Sequence, residues 1–471
     1  MKLFKYLSVS VLIVFSACVI EKKDRMDAFQ VPNPFGYPFI PDMIADASIC
    51  EFDGVFYCYA TTDGYGQGLA SSGPPTVWKS EDFVNWSFDG NYFPSAIEQK
   101  YWAPSKAIKA NGKYYIYPTI NRYMYVATAD SPEGPFRLAK GEDRFSLPYA
   151  DASTLLQTGK RSGIDTEVFV DDDGQAYAFW RHRCVAKLSK DMMGIEGEVD
   201  TIYTPRKGYS EGPIFFKRKG IYYYLYTLGA HEEYQYAYVM SRISPLGPYE
   251  YPKDDILSTT DYNKGVFGPG HGSVFHVEGT DDYYFVYLEF SRSSTNRQTY
   301  INRMEFNEDG TIRPIELSLN GVGALRNKTT DEVLKVSHCY ASSSKAPFKI
   351  PYFKDPKCQR TEYHLSTFAF DGSNGTRWMA AEGDSLQTWL VADMGKVMSI
   401  KRSELFFVQP TAGHAYTLEG SMDGTTWQTC GGKKNIEKCS PHNDLIDNRF
   451  RYLRVQITEG TAGIWEWKIY K

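Results

Sequence analysis

The sequence predicts an all-β chain in which a five-bladed β-propeller is followed by a β-sandwich. Three observations carry this reading. A short aromatic hairpin recurs five times between residues 52 and 284. No stretch sustains a helical period, and after Leu325 the pattern changes to longer alternating strands with tight turns. With 471 residues, the chain is also too long for one ordinary core, so two domains are expected.

The first hairpin is Phe52-Asp53-Gly54-Val55-Phe56-Tyr57 and the second Ala110-Asn111-Gly112-Lys113-Tyr114-Tyr115. The third is Asp172-Asp173-Gly174-Gln175-Ala176-Tyr177 and the fourth Arg218-Lys219-Gly220-Ile221-Tyr222-Tyr223; Gly279-Thr280-Asp281-Asp282-Tyr283-Tyr284 is the fifth. Asn-Gly and Asp-Gly between apolar runs are strong hairpin signals. Their spacing of roughly 45–60 residues is that of propeller blades. Outer strands lie between them: Val77 to Trp86 in one gap, and two related endings, Ala129 to Phe136 and Arg242 to Tyr249. Radial blades would bring the starts of their inner strands to one mouth of a central channel.

Three carboxylates occupy such positions. Asp46 precedes the first hairpin, Asp165 the third and Glu211 the fourth. Glu211 stands in Tyr209-Ser210-Glu211-Gly212-Pro213, where Gly-Pro fixes the backbone behind it and rings surround it. Poor solvation there favours a neutral carboxyl, as a general acid needs. Two Asp and one Glu meeting in an aromatic-lined pit are equipped for glycoside hydrolysis. One activates water and another protonates the leaving oxygen, and a separation of roughly 6.5–9.5 Å between those two means inversion. The third charge tunes the acid by like-charge repulsion.

Composition agrees with a sugar ligand and excludes others. The net charge is −5, with no Lys/Arg run, so nucleic acid is not an expected partner. Aromatic residues make up 15%, including 36 Tyr and 9 Trp, which offer flat faces to sugar C–H surfaces. Strands favour the same residues. Asp171-Asp172-Asp173-Gly174 lacks the spacing of a calcium loop and reads as a turn. His231-Glu232 lacks the second His of a zinc-protease motif, and no C-x-x-C pair occurs.

At the N-terminus, Lys2 and Lys5 precede an apolar core from Tyr6 to Phe15, too short to span a membrane as a helix. Residues 1–17 read as a signal peptide. Phe15-Ser16-Ala17-Cys18 resembles the lipobox of bacterial lipoproteins, which implies lipidation at Cys18, a tether over 18–31 and an outer-membrane lipoprotein, periplasmic or at the cell surface; the alternative is cleavage after Ala17 without a lipid. The only membrane contact expected is that anchor. Of the other cysteines, Cys339 with Cys358 and Cys430 with Cys439 are near enough in sequence to pair.

The segment from Pro32 to Leu325 resembles glycoside hydrolase family 43, a five-bladed propeller family. The motifs that carry the resemblance are Asp46 before the first hairpin, Asp165 before Asp171-Asp172-Asp173-Gly174, Glu211-Gly212-Pro213, Trp102-Ala103-Pro104 and Gly270-His271-Gly272-Ser273. The resemblance implies Asp46 as general base, Asp165 as pKa modulator, Glu211 as general acid and Trp102 in the sugar pocket. It also implies that His271 sits near the axis, where it lines the substrate site and helps hold a central calcium or water. No cofactor is implied for the chemistry. Ala47 and Thr166 stand where the family has Pro; neither change removes a carboxylate.

Arg326 to Asp331 reads as a polar linker, and 332–471 as a second domain. That domain resembles the discoidin, or coagulation factor V/VIII type C, sandwich, which includes family 32 carbohydrate-binding modules. The resemblance implies a structural calcium held by Asp371, Thr376 and Glu466, with Ser373 replacing the usual Asn. Because both segments carry a complete strand set, the two domains are expected to separate cleanly. Two functions remain open at this stage. One is an inverting exo-glycosidase that removes α-L-arabinofuranosyl, β-D-xylosyl or galactosyl residues from polysaccharide or oligosaccharide. The other is a non-catalytic carbohydrate-binding lipoprotein on the same scaffold. Retention of all three acids favours the enzyme.

Overall fold

The computed structural model describes residues 31–65, 75–91, 101–120, 123–139, 163–290, 292, 296–327, 331–350, 359–383 and 388–471. The signal segment and Cys18 lie outside them. The propeller is present as expected. Its first blade pairs Ile44–Phe52, Val55–Thr62, Thr76–Ser80 and Ser87–Asn91 in chain order. The second pairs Ile108–Ala110, Lys113–Ile116, Ala127–Ala129 and Arg137–Leu138. The third runs through Glu167–Val170, Ala176–Trp180, Cys184–Leu188 and Ile195–Thr201. The fourth comprises Ile214–Arg218, Ile221–Leu228, Gln235–Ser241 and Ile256–Ser258, and the fifth Gly270–His276, Tyr283–Glu289 and Gln298–Met304.

Every hairpin read from the sequence closes an inner pair. Phe52 faces Val55, Ala110 faces Lys113, Val170 faces Ala176, Arg218 faces Ile221, and His276 faces Tyr283. The triple-Asp turn is a hairpin, with Gly174 N–H donating to the Asp171 carbonyl at 2.9 Å. The ring closes where the first blade packs on the fifth. Ile44, Ile49 and Phe56 share one apolar cluster with Phe275, Val286 and Ile301. Across that seam Thr299 Oγ1 donates to the Ile44 carbonyl at 2.8 Å. A small extra sheet of Tyr101–Trp102, Thr119–Ile120 and Tyr123–Met124 was not legible as strands.

The C-terminal sandwich orders Trp378–Met379, Gly463–Tyr470, Thr388–Phe407, His442–Glu459, His414–Ser421 and Gln428–Glu437. Trp378, Leu390, Phe407, Leu453 and Trp467 fill its core.

The expectation that the two domains separate cleanly needs correction. Met43 of the propeller packs with Phe406, Val408 and Trp465 of the sandwich, and Phe35 and Phe267 pack with Ile350. Arg292 is 4% exposed and pairs with Glu362 at 3.2 Å, while Arg377 reaches the same carboxylate at 3.1 Å. Ser373 Oγ donates to the Gly36 carbonyl at 2.7 Å, so the residue that departs from the family loop joins the two domains. The segment read as a linker is also tied down at both ends. Arg326 bonds Glu51 and the Gly54 carbonyl, and Asp331 pairs with Arg402. Sequence patterns see charges such as Arg292 and Glu362 as surface residues; the fold buries this pair between the domains.

The pairing of Cys430 with Cys439 is likewise not formed, since both are free thiols. Cys358 lies outside the described residues.

Candidate active site

Asp46 sits inside the first inner strand, ahead of its hairpin turn, at a break in register between Ala45 and Ser48. A bulge of this kind bends the strand and re-aims a side chain. The backbone at Asp46 has φ 52°, a left-handed conformation that Asp tolerates better than most residues. The side chain points at buried cations. Oδ1 lies 3.4 Å from Arg297 Nη1 and 3.5 Å from His271 Nδ1, and Thr61 adds a hydrogen bond. Burial pushes the carboxyl up, but Arg297 and His271 together outweigh it and hold it at about 2. These two cations hold Asp46 in its ionised form.

Asp165 is also left-handed, at φ 64°, and its N–H donates to Thr119 Oγ1 at 2.9 Å. Its Oδ2 accepts the Gly212 N–H at 3.1 Å and lies 3.9 Å from His271 Nδ1. Burial pushes this carboxyl up. His271 opposes that shift, and the charges of Glu211 and Asp46 add to it. The acid that carries the like-charge effect is thus Asp165 itself.

Glu211 follows directly in the same network. Its N–H donates to Thr227 Oγ1 at 2.9 Å, and that hydroxyl returns a 2.7 Å bond to the Glu211 carbonyl. Both carboxylate oxygens accept tyrosine hydroxyls, Tyr209 at 2.5 Å on one and Tyr234 on the other. Burial and Glu211 hold the Tyr234 hydroxyl well above its usual range, so it remains a donor. Gly212 explains the Glu-Gly-Pro spacing. At φ 54°, a Cβ there would stand 2.7 Å from the His271 ring. On the other side, a Cβ at Gly270 would stand 2.6 Å from the Tyr234 ring. The histidine and the acid fit together because those two positions carry no side chain.

Trp102 is half-buried at the end of its short strand, and the N–H of Ala103 next to it donates to Thr61 Oγ1 at 2.8 Å. Thr61 also bonds Asp46, so the tryptophan is anchored to the same support as the base. Four residues on, Lys106 pairs with buried Glu167 at 2.5 Å, which ties this segment to the blade of Asp165.

Sequence reasoning missed Arg297 and Asp63. Arg297 makes a two-pronged contact with Asp63, Nε at 2.8 Å and Nη2 at 3.0 Å, before reaching Asp46. No motif marks either residue, because ring closure alone brings the ends of their strands together. Tyr234 was also missed; it lies in a turn whose sequence resembles ordinary surface.

The metal readings divide. At the axis, His271 faces two carboxylates. Burial opposes its charge, but Asp165 and Asp46 raise it to about 9. With Arg297 it supplies positive charge beside these carboxylates, and its Nδ1 lies 3.5 Å from Asp46 Oδ1 and 3.9 Å from Asp165 Oδ2; a central calcium or water there stays an expectation from the family resemblance. In the sandwich the residues do fit a divalent cation. Thr376 Oγ1 donates to Asp371 Oδ2 at 2.7 Å and the Gly372 N–H to Glu466 Oε2 at 3.1 Å. Burial, then the neighbouring Asp371, pushes Glu466 far up, and burial raises Asp371 to about 6. Buried Glu466 crowded by the more open Asp371 carboxylate is a pair that a hard cation relieves.

Residues 35–312 match the profile of the Glycosyl hydrolases family 43, and residues 343–469 that of the F5/8 type C domain. The chain belongs to glycosyl hydrolase family 43. A solved structure described as a glycoside hydrolase is 65% identical, with a TM-score of 0.91 over 93% of this chain and 100% of its own. The beta-D-galactofuranosidase of Aspergillus niger is 31% identical over 61% of this chain and 86% of that protein. The arabinoxylan arabinofuranohydrolase of Bacillus subtilis is 28% identical over 60% of this chain; the match spans 64% of that protein, under two thirds of its length. As a family 43 glycosidase, this chain acts on glycans, and its chemistry requires no cofactor. The purely binding alternative is set aside.

Proposed function

We propose that this family 43 enzyme is an inverting exo-glycosidase for terminal furanosides, α-L-arabinofuranosyl residues first, with β-D-xylosyl and galactosyl residues as the further substrates. The observation that carries the reading is the meeting of Asp46, Asp165 and Glu211 around His271. Asp46, ionised and half-neutralised by Arg297, accepts a proton as water attacks the anomeric carbon. The glycosidic C–O bond breaks, and the leaving oxygen takes the Glu211 proton. Asp165 holds Glu211 in place through the Gly212 N–H, and Trp102 stacks on the sugar. The furanoside preference is supported by the names of the Aspergillus niger and Bacillus subtilis relatives.

The test pairs a p-nitrophenyl glycoside panel with proton NMR of the first product. Arabinofuranoside cleavage with inverted configuration is expected. A retained configuration would overturn Asp46 as base, and exclusive cleavage of xylopyranosides would overturn the furanoside preference. Two further parts belong to this reading. Calcium sits at Asp371, Thr376 and Glu466, to be checked by metal analysis of the purified protein. The chain is also exported and lipidated at Cys18, to be checked by lipid labelling of Cys18→Ser.

A further inference from the structure

Far from the acids, the loop that ends the Gln428–Glu437 strand brings Glu437, Cys439 and His442 together. One ligand atom from each lies within 4.8 Å of the others, and they are the one such group of His, Cys, Asp and Glu among the described residues. His442 is 0% exposed, yet neither ring nitrogen has a hydrogen-bond partner. A buried imidazole left unsatisfied costs stability unless something occupies it. Phe407 and Tyr416 pack against the ring, with centroids at 5.1 and 5.4 Å, and supply no acceptor to it.

We propose that Glu437, Cys439 and His442 form a binding site for a borderline-soft divalent metal ion, zinc in type. Thiolate, imidazole and carboxylate are the zinc donor set, and three protein ligands leave a fourth position for water. Binding replaces the Cys439 S–H bond with an S–metal bond and releases that proton to solvent; no oxidant or reductant is involved. Lys433, 3.4 Å from Glu437, is the cation the metal displaces. The role is structural. Ser440, inside the same loop, exchanges hydrogen bonds of 2.7 and 2.8 Å with Phe88 on the outer strand of the first blade. A metal here staples the loop by which the sandwich grips the propeller.

The experiment uses the full chain, freed of metal and titrated with Co²⁺ and then Zn²⁺. One equivalent of Co²⁺ should give a near-ultraviolet thiolate-to-metal charge-transfer band, which Zn²⁺ abolishes. The band should be lost in Cys439→Ser and kept in Cys430→Ser. Glu437→Gln, an exposed change that leaves the core intact, should weaken binding, and Zn²⁺ should raise the melting temperature of the wild type but not of Cys439→Ser. A band that survives Cys439→Ser, no band in the wild type, or thiol counting that finds Cys439 joined to Cys430 would each overturn the site.

Discussion

Nδ1 of His271 lies 3.5 Å from Oδ1 of Asp46, with both side chains buried at the propeller axis. The histidine carries the charge that keeps this end of the site together. Its folded value, about 9, lies above the ordinary 6.5. The stability it adds is fully present below pH 6.5 and is lost as pH rises through about 9. Urea denaturation should therefore show His271→Asn less stable than wild type by up to about 3 kcal/mol in mild acid. That gap should close between those two pH values. A gap that widens with rising pH would mean the imidazole is neutral.

Arg297 is the second positive charge on Asp46. Arg297→Met should let the Asp46 carboxyl rise from about 2. The acidic limb of kcat/KM should then move up by at least about one pH unit. The same change strands Asp63, so a loss of about 3–5 kcal/mol of stability should accompany it. An unmoved acidic limb in a folded variant would separate Arg297 from the base.

Glu211→Gln should cost about 10²–10⁴ in kcat on substrates with poor leaving groups. It should cost far less on activated aryl glycosides, whose leaving oxygen needs no proton. Asp46→Asn should slow both classes alike. Near-normal turnover of a natural oligosaccharide by Glu211→Gln would remove it from the acid role.

A chain cut after Asn327 should not behave as an independent enzyme. It keeps all three acids but strips Glu362 from Arg292 and the sandwich side chains from Met43. Loss of one partner of a buried ion pair costs about 3–5 kcal/mol, a large share of a domain's stability. Aggregation, or a large fall in melting temperature with lost activity on small substrates, is expected. A soluble fragment with full activity would show that the interface is dispensable.

The five hairpins and the three acids were legible because each is written locally, in turn chemistry and in a carboxylate beside a glycine or a strand start. The support around the acids was not. Thr61 and Asp63 lie at the end of the strand paired with that of Asp46, and only ring closure brings Arg297 of the fifth blade to them. The bulge at Asp46 was equally silent, since Ala45-Asp46-Ala47 reads as plain strand. The interface failed for the opposite reason. Arg292, Glu362 and Arg377 carry a strong signal, charge, that normally means solvent.

Gln409 of the sandwich donates to the Gly64 carbonyl at 2.6 Å, one residue beyond the Asp63 that braces Arg297. Exchanging this sandwich for a homologous module is therefore no neutral graft. A foreign loop at position 409 would leave that carbonyl unclaimed and loosen the strand end behind Asp63. The defect would surface as slower hydrolysis in a protein whose acids are all untouched. Libraries that shuffle modules among such hydrolases should carry the junction at residues 63–65 and 409–411 as a single cassette.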